Sequence, residues 1–353
     1  MVTPRQRVLT ALDHREPDRV PIEYFFFGTP EMVAKLKAHL RCETDEELRR
    51  RLGVDVRRVA PEYVGPPLYS DSAGRYADHW GVVRAPVSHG SGSYNEICHY
   101  PLADADTIED LDRHPWPKIE WFDFASLHRQ IEQANERDDY AIIMGNGNIF
   151  ETSWWMRGWE MTLLDLLANQ EFLAELLRRV TDWYIAWFTA AFAETKGKIQ
   201  LAFTADDVAM QNGPLMALDV WRALLKPEHQ RLNAVIHSFG AKIIYHCDGA
   251  VMDFLEDFAE MGIDALDPLQ MNARGMDPVA MKARVGDRLS FHGGVDVQST
   301  LPFGTPASVR ARSLELIEVL GRGGGYIFGP AHAIQEDTPV ENAVAMFDAA
   351  LGG

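Results

Sequence analysis

The chain has little cysteine and no long apolar run. Cys42, Cys98 and Cys247 are the three cysteines among 353 residues, and none stands in a CxxC pair. This excludes a cysteine-only metal site and is typical of a reducing compartment. No stretch of about 18 apolar residues occurs, and the N-terminal sequence MVTPRQRVLTALDHREPDRVP has no apolar signal core. We therefore expect a cytoplasmic protein without a membrane segment.

Positive charge is also scarce. The chain has 34 Lys and Arg residues against 52 Asp and Glu residues, which gives a formal net charge of −18. Nucleic acid and anionic membranes attract basic surfaces, so neither is an expected partner. A substrate with many negative charges is disfavoured unless arginines gather locally in its pocket. The expected substrate is a small molecule.

Glycine-rich phosphate-binding motifs are missing as well. No GxGxxG or GxxxxGK[ST] follows an apolar run, and the glycines 323–325 precede a strand-like segment instead of following one. The nucleotide-binding folds that depend on such loops therefore have no motif in this sequence.

What the sequence does contain is a regular alternation of short apolar segments and longer helical ones. Helices are predicted at 4–13, where Thr3 is the N-cap and Pro4 follows it, and at 30–40 and 45–52. Strands are predicted at 20–27, 54–59, 140–146, 199–207, 242–249, 264–269, 288–296 and 325–332. Further helices are predicted at 121–137, 160–168, 170–194, 217–239, 251–261, 277–285, 305–320 and 339–350. Eight such units favour an α/β fold of the (β/α)8 TIM-barrel class over a doubly wound sheet.

The region from 53 to about 118 interrupts this alternation. It is rich in Tyr, Gly, Pro and Ser, with hairpin-like pieces at 76–83 and 94–100. Long irregular segments of this kind are usually functional loops. We expect an insertion that forms either a lid over one face of the barrel or an interface, in which case the protein is a homodimer. One domain is expected to cover residues 1–353.

Ionisable and amide side chains recur where the predicted strands end. They are Asn146, Asn148, Asp206, Asp207, His246, Asp248, Asp267, His292, Asp296 and His332. The active site of a TIM barrel lies at the carboxyl ends of its strands. A single Asp there is ordinary because it can cap the next helix, but six polar strand ends exceed what capping requires. The sequence therefore predicts a polar, ionisable site at this end of the barrel.

The strand segment IYHCDG carries the most specific pattern. Side chains alternate across a strand, so His246 and Asp248 share one side while Cys247 points to the other. The pair can hold a metal, or His246 can act as a base that Asp248 orients. Equally open is a structural interpretation, with Asp248 as a helix cap and His246 as a hydrogen-bonded core residue. His332 follows the last strand and would complete three ligands with an open position, for zinc, iron or manganese.

Catalytic and substrate-binding candidates come from the remaining polar strand ends. Asp206 and Asp207 raise each other's pKa if both are buried, which suits a proton donor, although a cap and a structural hydrogen bond explain them equally well. His292 is a further catalytic candidate. Candidates for binding the substrate are Asn146, Asn148, Asp296, Tyr24 in the aromatic segment after the first strand, and Trp154 in the cluster Trp154, Trp155, Met156 and Trp159. Core packing is the alternative explanation for that cluster.

The segments RVLTALDHREPDRVPI, YHCDGAV, GGVDVQSTLPFGTPASV and GGYIFGPAHAIQEDTPVENAVAMFDAA together resemble the uroporphyrinogen decarboxylase superfamily. That resemblance implies a TIM barrel and one of two activities: tetrapyrrole decarboxylation, or zinc-dependent methyl transfer between corrinoid proteins and thiols. The decarboxylases carry an arginine-rich segment after the first strand, whereas here residues 23–30 read EYFFFGTP. The methyltransferases carry an H-x-C motif and a later cysteine as zinc ligands, and the matching positions here are His246, Asp248 and His332.

Three hypotheses follow from the residues and the resemblance together. The first is a metal-dependent transferase, with Zn²⁺ the expected ion, that activates a thiol or hydroxyl for methyl transfer and works with a corrinoid protein as partner. The second is a metal-free decarboxylase or lyase acting on a tetrapyrrole or a smaller aromatic acid. The third is a non-catalytic barrel that binds a small ligand or a cobalamin partner.

Overall fold

The computed structural model describes residues 2–23, 28–89 and 92–352. In these ranges the helices are α1 Pro4–Leu12, α2 Pro30–Leu40, α3 Asp45–Arg51, α4 Ile108–Arg113, α5 Ser126–Ala134, α6 Ile149–Arg157, α7 Trp159–Ala168, α8 Gln170–Thr195, α9 Leu218–Leu224, α10 Lys226–Ser238, α11 Leu255–Met261, α12 Pro278–Val285, α13 Thr300–Phe303, α14 Pro306–Gly321 and α15 Val340–Leu351. Short 3-10 turns occupy Ile119–Trp121 and Met252–Phe254. None of the helices in the described ranges is long and apolar enough to cross a membrane.

Seven parallel strands form the central sheet. They are β1 Val56–Val59, β2 Ala141–Asn148, β3 Leu201–Ala205, β4 Lys242–His246, β5 Ala265–Asp267, β6 Ser290–His292 and β7 Tyr326–Ile327, and each pairs with the next in this order. The order in space follows the order in the chain, with helices between successive strands from β2 onward. This is the βα progression of a TIM barrel and confirms the predicted fold class.

The segment Pro21–Glu23 lies between the two edges of that sheet. The Phe328 N–H donates to the Pro21 carbonyl at 2.8 Å, and the Glu23 N–H donates to the Phe328 carbonyl at 3.0 Å. On the other side the Asp55 N–H donates to the Ile22 carbonyl at 2.8 Å. This segment therefore provides the eighth position of the barrel. Most of the rest of the strand predicted at 20–27, including Tyr24, lies outside the described residues.

Helix α1 is the predicted N-terminal extension. It begins as predicted, with Thr3 accepting from the Gln6 N–H in a capping box. Arg7 of this helix reaches the buried Asp55 at 2.6 Å, and Arg19 reaches the same carboxylate at 2.8 Å. Because Asp55 immediately precedes β1 and also accepts from the Ile22 N–H at 2.8 Å, the ion pairs fix the entry to the barrel.

The barrel interior is apolar over most of its depth. Its buried cluster comprises Val8, Leu12, Val56, Ala141, Ile143, Leu201, Phe203, Ala205, Ile244, Ala265 and Ile327. Val8 and Leu12 belong to α1, so this helix closes the end opposite the carboxyl ends of the strands. The strand-end His, Asp and Asn side chains described below lie at the other end, where the site is.

The segment between 53 and 118 has strands where a strand was predicted at 54–59 and hairpin-like pieces were predicted at 76–83 and 94–100. It contains β1, and Tyr76–Ala77, Val83–His89 and Gly92–His99 form an antiparallel sheet. Several helices differ from the predictions. The helix expected at 121–137 begins at Ser126, the one at 217–239 divides into α9 and α10, and the one at 251–261 begins with a 3-10 turn, while α4, α6 and α13 were not predicted. Pro227 lies in the first turn of α10, where proline fits, and its missing N–H interrupts a continuous helix.

Candidate metal centre and active site

His246 is the last residue of β4 and projects into the barrel. It is 7% exposed, and its Nδ1 donates to Asp267 Oδ2 at 2.7 Å. This hydrogen bond fixes the ring and leaves Nε2 on the side of Asp248, whose Oδ2 lies 3.6 Å away. A carboxylate behind an imidazole is the usual arrangement for a metal-binding histidine, because it sets the tautomer and the ring orientation.

His332 approaches the same carboxylate from the loop after β7. Its Nε2 lies 4.0 Å from Asp248 Oδ2, and the ligand atoms of His246, Asp248 and His332 all lie within 4.8 Å of one another. Donors in tetrahedral geometry at zinc are about 3.4 Å apart, from bond lengths of about 2.1 Å. The His332 side chain is 43% exposed and has room to move the remaining distance. These three residues, called the metal group below, thus fit a divalent ion.

Asp267 at the end of β5 joins two imidazoles. Besides His246, it accepts a hydrogen bond from His292 Nδ1. Burial alone would raise the pKa of Asp267, but the two imidazoles outweigh burial and hold that pKa well below its usual range. Asp267 therefore stays ionised and acts as a fixed acceptor behind the metal group.

His292 lies between two carboxylates. Its Nε2 is 3.3 Å from Glu23 Oε2, on the far side of the ring from Asp267. Burial lowers the pKa of His292, yet Asp267 and Glu23 together raise it to about 10. An imidazole that keeps its proton in this way does not serve as a base near neutral pH. The geometry therefore favours a positioning role for His292, in place of the catalytic role expected from sequence.

Asp206 does not face the site. Its side chain is fully buried, Oδ2 accepts from the Phe150 N–H and Oδ1 from the Glu151 N–H, each at 2.8 Å. His229 Nε2 lies 2.6 Å from Oδ2. Asp206 thus holds the first turn of α6 against β3, which is the structural alternative to the predicted proton donor.

Asp207 and Glu151 supply the carboxyl groups beside the metal group. Asp207 Oδ1 accepts from the Asp248 N–H at 2.8 Å, so it positions that ligand's backbone. Glu151, in the first turn of α6, accepts from Asn148 Nδ2 at 2.6 Å. Burial, and next to it Asp207 and Asp206, raise the pKa of Glu151 to about 8. Glu151 can therefore carry a proton at neutral pH, as a general acid must.

The predicted substrate-binding residues separate into different environments. Asn146 is exposed at the barrel mouth and its Oδ1 accepts from Arg58 Nη2 at 2.7 Å, whereas Asn148 is buried against Glu151. Asp296 caps α13 by accepting from the Ser299 and Thr300 N–H groups at 3.0 Å each. Trp154 packs on Trp159, with ring centroids 5.3 Å apart, in the partly buried layer around the core.

A polar cavity of about 360 Å³ opens beside the metal group. Asp248 and His332 form part of its wall, and the remaining polar lining residues are Gln270, Asn272, Asp296, Gln298 and Gln335. Side-chain amides hold one another in place there, since Asn272 Nδ2 donates to Gln298 Oε1 at 2.7 Å. A cavity with so many amide groups suits a polar ligand that approaches the metal group from outside the barrel.

Glu151 and Arg58 are among the site residues that escaped the sequence analysis. Glu151 was missed because α6 was not predicted, and the one signal for it was a lone acidic residue in the apolar stretch NIFETSWWM. Arg58 lies two residues after Val56 on β1 and therefore on the same inward side, so following the inward positions of that strand would have found it. Cys247, by contrast, lies as expected: it is fully buried in the outer core.

Comparison with known proteins identifies similar sequences in the uroporphyrinogen decarboxylase family. The sequence profile described as uroporphyrinogen decarboxylase (URO-D) matches residues 97–351. Uroporphyrinogen decarboxylase of Coxiella burnetii is 26% identical over 186 residues, covering 49% of this chain and 45% of that enzyme. The enzyme of Erwinia tasmaniensis is 33% identical over 66 residues, covering 19% of this chain and 18% of its own. The chain therefore aligns with less than half the length of these relatives.

A solved structure resembles the whole chain. A methyltransferase from Methanosarcina mazei aligns over 100% of this chain and 99% of its own, with a TM-score of 0.70 at 20% sequence identity. At this identity the likeness establishes the barrel fold, and it agrees with the strand order described above.

Proposed function

The chain belongs to the uroporphyrinogen decarboxylase family, whose members are enzymes, and we propose that this one is a metal-dependent methyltransferase. The observation that carries the proposal is the metal group: two imidazoles and one carboxylate within 4.8 Å, backed by Asp267. Three protein ligands with an open position are typical of catalytic zinc sites. The Methanosarcina mazei methyltransferase, which shares the fold, adds support for the reaction class.

The chemistry would proceed at the boundary between the metal group and the polar cavity. A zinc ion held by His246, Asp248 and His332 would supply Lewis acidity, lowering the pKa of a bound thiol or hydroxyl. The residues of the chain have the other tasks. Asp267 fixes the His246 ring, and Asp207 fixes the backbone of Asp248, so that both ligands keep their direction.

Proton movement is assigned to Glu151. Its carboxyl group lies beside Asp207 and close enough to His246 for their charges to interact, and it is hydrogen-bonded to Asn148. The ionised form accepts the proton that the thiol or hydroxyl loses and releases it to solvent after the methyl group has been transferred. The amides of Gln270, Asn272 and Gln335 would orient the polar end of the methyl acceptor in the cavity.

The methyl donor of this proposal is a methylated corrinoid, free or carried by a partner protein. The experiment that tests it uses methylcobalamin with a panel of small thiols and alcohols, and follows demethylation of the corrinoid by absorbance. Zinc-loaded protein should show turnover, and H246A and H332A should not. Full activity of the metal-depleted wild-type protein would rule the proposal out.

A second function is favoured by one observation. Arg58 stands at the barrel mouth beside Asn146, where a guanidinium could hold a carboxylate, although residues 23–30 contain no arginine. A metal-free decarboxylase acting on a small aromatic acid could use this anchor, with Glu151 protonating the ring carbon as CO₂ leaves. Release of CO₂ from candidate acids by metal-depleted protein separates this function from methyl transfer.

A further inference from the structure

A second cavity, distinct from the polar one, has walls made mostly of aromatic rings. It has a volume of about 330 Å³, and its ring-bearing residues include Trp80, Phe122, Trp155, Trp183, Tyr184 and Trp187. Trp80 comes from the inserted segment and the last three residues come from α8, so the aromatic cavity lies between that segment and the barrel. This volume lies within the usual range for small-molecule sites, roughly 300–1,000 Å³.

The rings of the aromatic cavity are held in place from behind. Trp183 Nε1 donates to the Pro117 carbonyl at 2.8 Å, and the Tyr184 hydroxyl pairs with Thr152 Oγ1 at 2.8 Å. Trp187 is 6% exposed, and its buried indole N–H has no hydrogen-bond partner among the described residues. Preformed walls reduce the entropy lost on binding.

The charges around this cavity decide what kind of ring it would accept. His79 stacks on Trp183 with ring centroids 5.4 Å apart, and burial lowers the pKa of His79 to about 4, so the imidazole is neutral. Arg84 pairs with Asp78 at 2.6 Å and stands 5.2 Å from the centre of the Trp155 ring. With a guanidinium already over one ring, an organic cation is a poor occupant, although aromatic cages otherwise favour cations.

One wall residue of the aromatic cavity, Asn146, is connected to the metal group through a series of side-chain contacts. Asn146 accepts from Arg58, whose guanidinium carbon is 6.0 Å from the centre of the Phe203 ring. The Phe203 ring is in turn 5.8 Å from the His246 ring. A flat molecule seated among the aromatic rings would therefore meet a guanidinium at its inner edge and the metal group beyond.

We propose that the aromatic cavity binds the flat ring of an aromatic acid, whose carboxylate or phenolate is recognised by Arg58 and Asn146. The ring would belong to the substrate on which the metal group acts. This assignment of a substrate class rests on the proposed function, but ring binding itself needs neither metal nor turnover, so the two can fail separately.

Binding of 2-naphthoate, followed by calorimetry in metal-depleted and in zinc-loaded protein, tests the proposal. Cyclohexanecarboxylate supplies the same charge without a flat ring, and 2-naphthamide supplies the ring without the charge. Wild-type protein should prefer 2-naphthoate over both. W155L should bind it about three- to tenfold more weakly, the effect of losing one aromatic contact, and H79A should weaken it as well. R58M should lose about tenfold or more for 2-naphthoate and little for 2-naphthamide.

W159L is the matched control, because Trp159 is a partly buried indole of the neighbouring cluster that does not line the cavity. Circular dichroism establishes that each variant is folded. The proposal would be overturned if W155L and H79A bound 2-naphthoate as tightly as W159L does. It would also be overturned if the wild-type protein bound cyclohexanecarboxylate as tightly as 2-naphthoate. If the protein binds 2-naphthoate as expected but holds no metal, then the proposed function fails and the binding site stands.

Discussion

Replacing Asp267 by Asn should weaken zinc binding about 10- to 100-fold, although Asp267 is not itself a ligand. Asp267 accepts from Nδ1 of His246 at 2.7 Å and from Nδ1 of His292. An amide keeps one acceptor oxygen and turns an NH₂ group toward the other imidazole, where a donor would meet a donor. His246 then loses the bond that directs its Nε2 toward Asp248. The expected loss corresponds to about 1.4–2.7 kcal/mol of binding free energy.

The assay is competition for zinc between the protein and a chromogenic chelator at constant pH. D264N is the matched control: Asp264 stands just before the same strand at its other end and is also paired with a histidine, His237, at 2.8 Å. It should leave zinc affinity unchanged. If folded D267N holds zinc as tightly as D264N and wild type, Asp267 does not support the metal group and the reasoning is wrong.

Three further predictions concern the carboxylates and the aromatic cavity. D206A should lower the free energy of unfolding in urea by about 3–5 kcal/mol, because it leaves buried donors unpaired. D207N should change the free energy of unfolding by less than about 1 kcal/mol. If both variants lost a similar amount of stability, the capping role of Asp206 would be contradicted. E151Q should reduce kcat about 100-fold or more. Because the pKa of Glu151 is raised from 4.5 to about 8, the wild-type protein should lose stability as pH rises through this range, and E151Q should abolish that loss. His79 has its pKa lowered from 6.5 to about 4, so the unfolded chain takes up a proton that the folded chain does not, and stability should fall as pH drops through that window. H79Q should remove about 3 kcal/mol of this fall. Identical pH profiles of unfolding for H79Q and wild type would show that the ring is not buried.

The barrel could be predicted from sequence because its strands are short apolar runs separated by helices of ordinary length. The same alternation brought His246 and Asp248 to one side of a strand and sent Cys247 to the other. The first barrel strand was predicted at 20–27 from the same kind of apolar run, and its described part, Pro21–Glu23, lies where the ring closes. Its pairing consists of two backbone hydrogen bonds to Phe328 on one side and one to Asp55 on the other, and the side-chain pattern does not specify which strands these bonds join.

The roles of individual carboxylates were the least predictable part of the site. Asp206 and Asp207 are adjacent in sequence, yet one is committed to the N-terminus of α6 and the other to the Asp248 backbone. The hydrogen-bond partners of these two carboxylates depend on where α6 begins. The apolar stretch that contains α6 did not predict a helix. Glu151 was hidden for the same reason.

The central claim is that His246, Asp248 and His332 hold a metal ion. Metal analysis of the purified protein after zinc loading and gel filtration tests it most directly, with H246A, D248A and H332A beside the wild type and C247A as a control at the buried thiol between two of the ligands. The account predicts one zinc per chain in the wild type and in C247A, and a loss of zinc in each of the other three. A wild-type protein that retains no zinc, or ligand variants that retain it in full, would contradict the account.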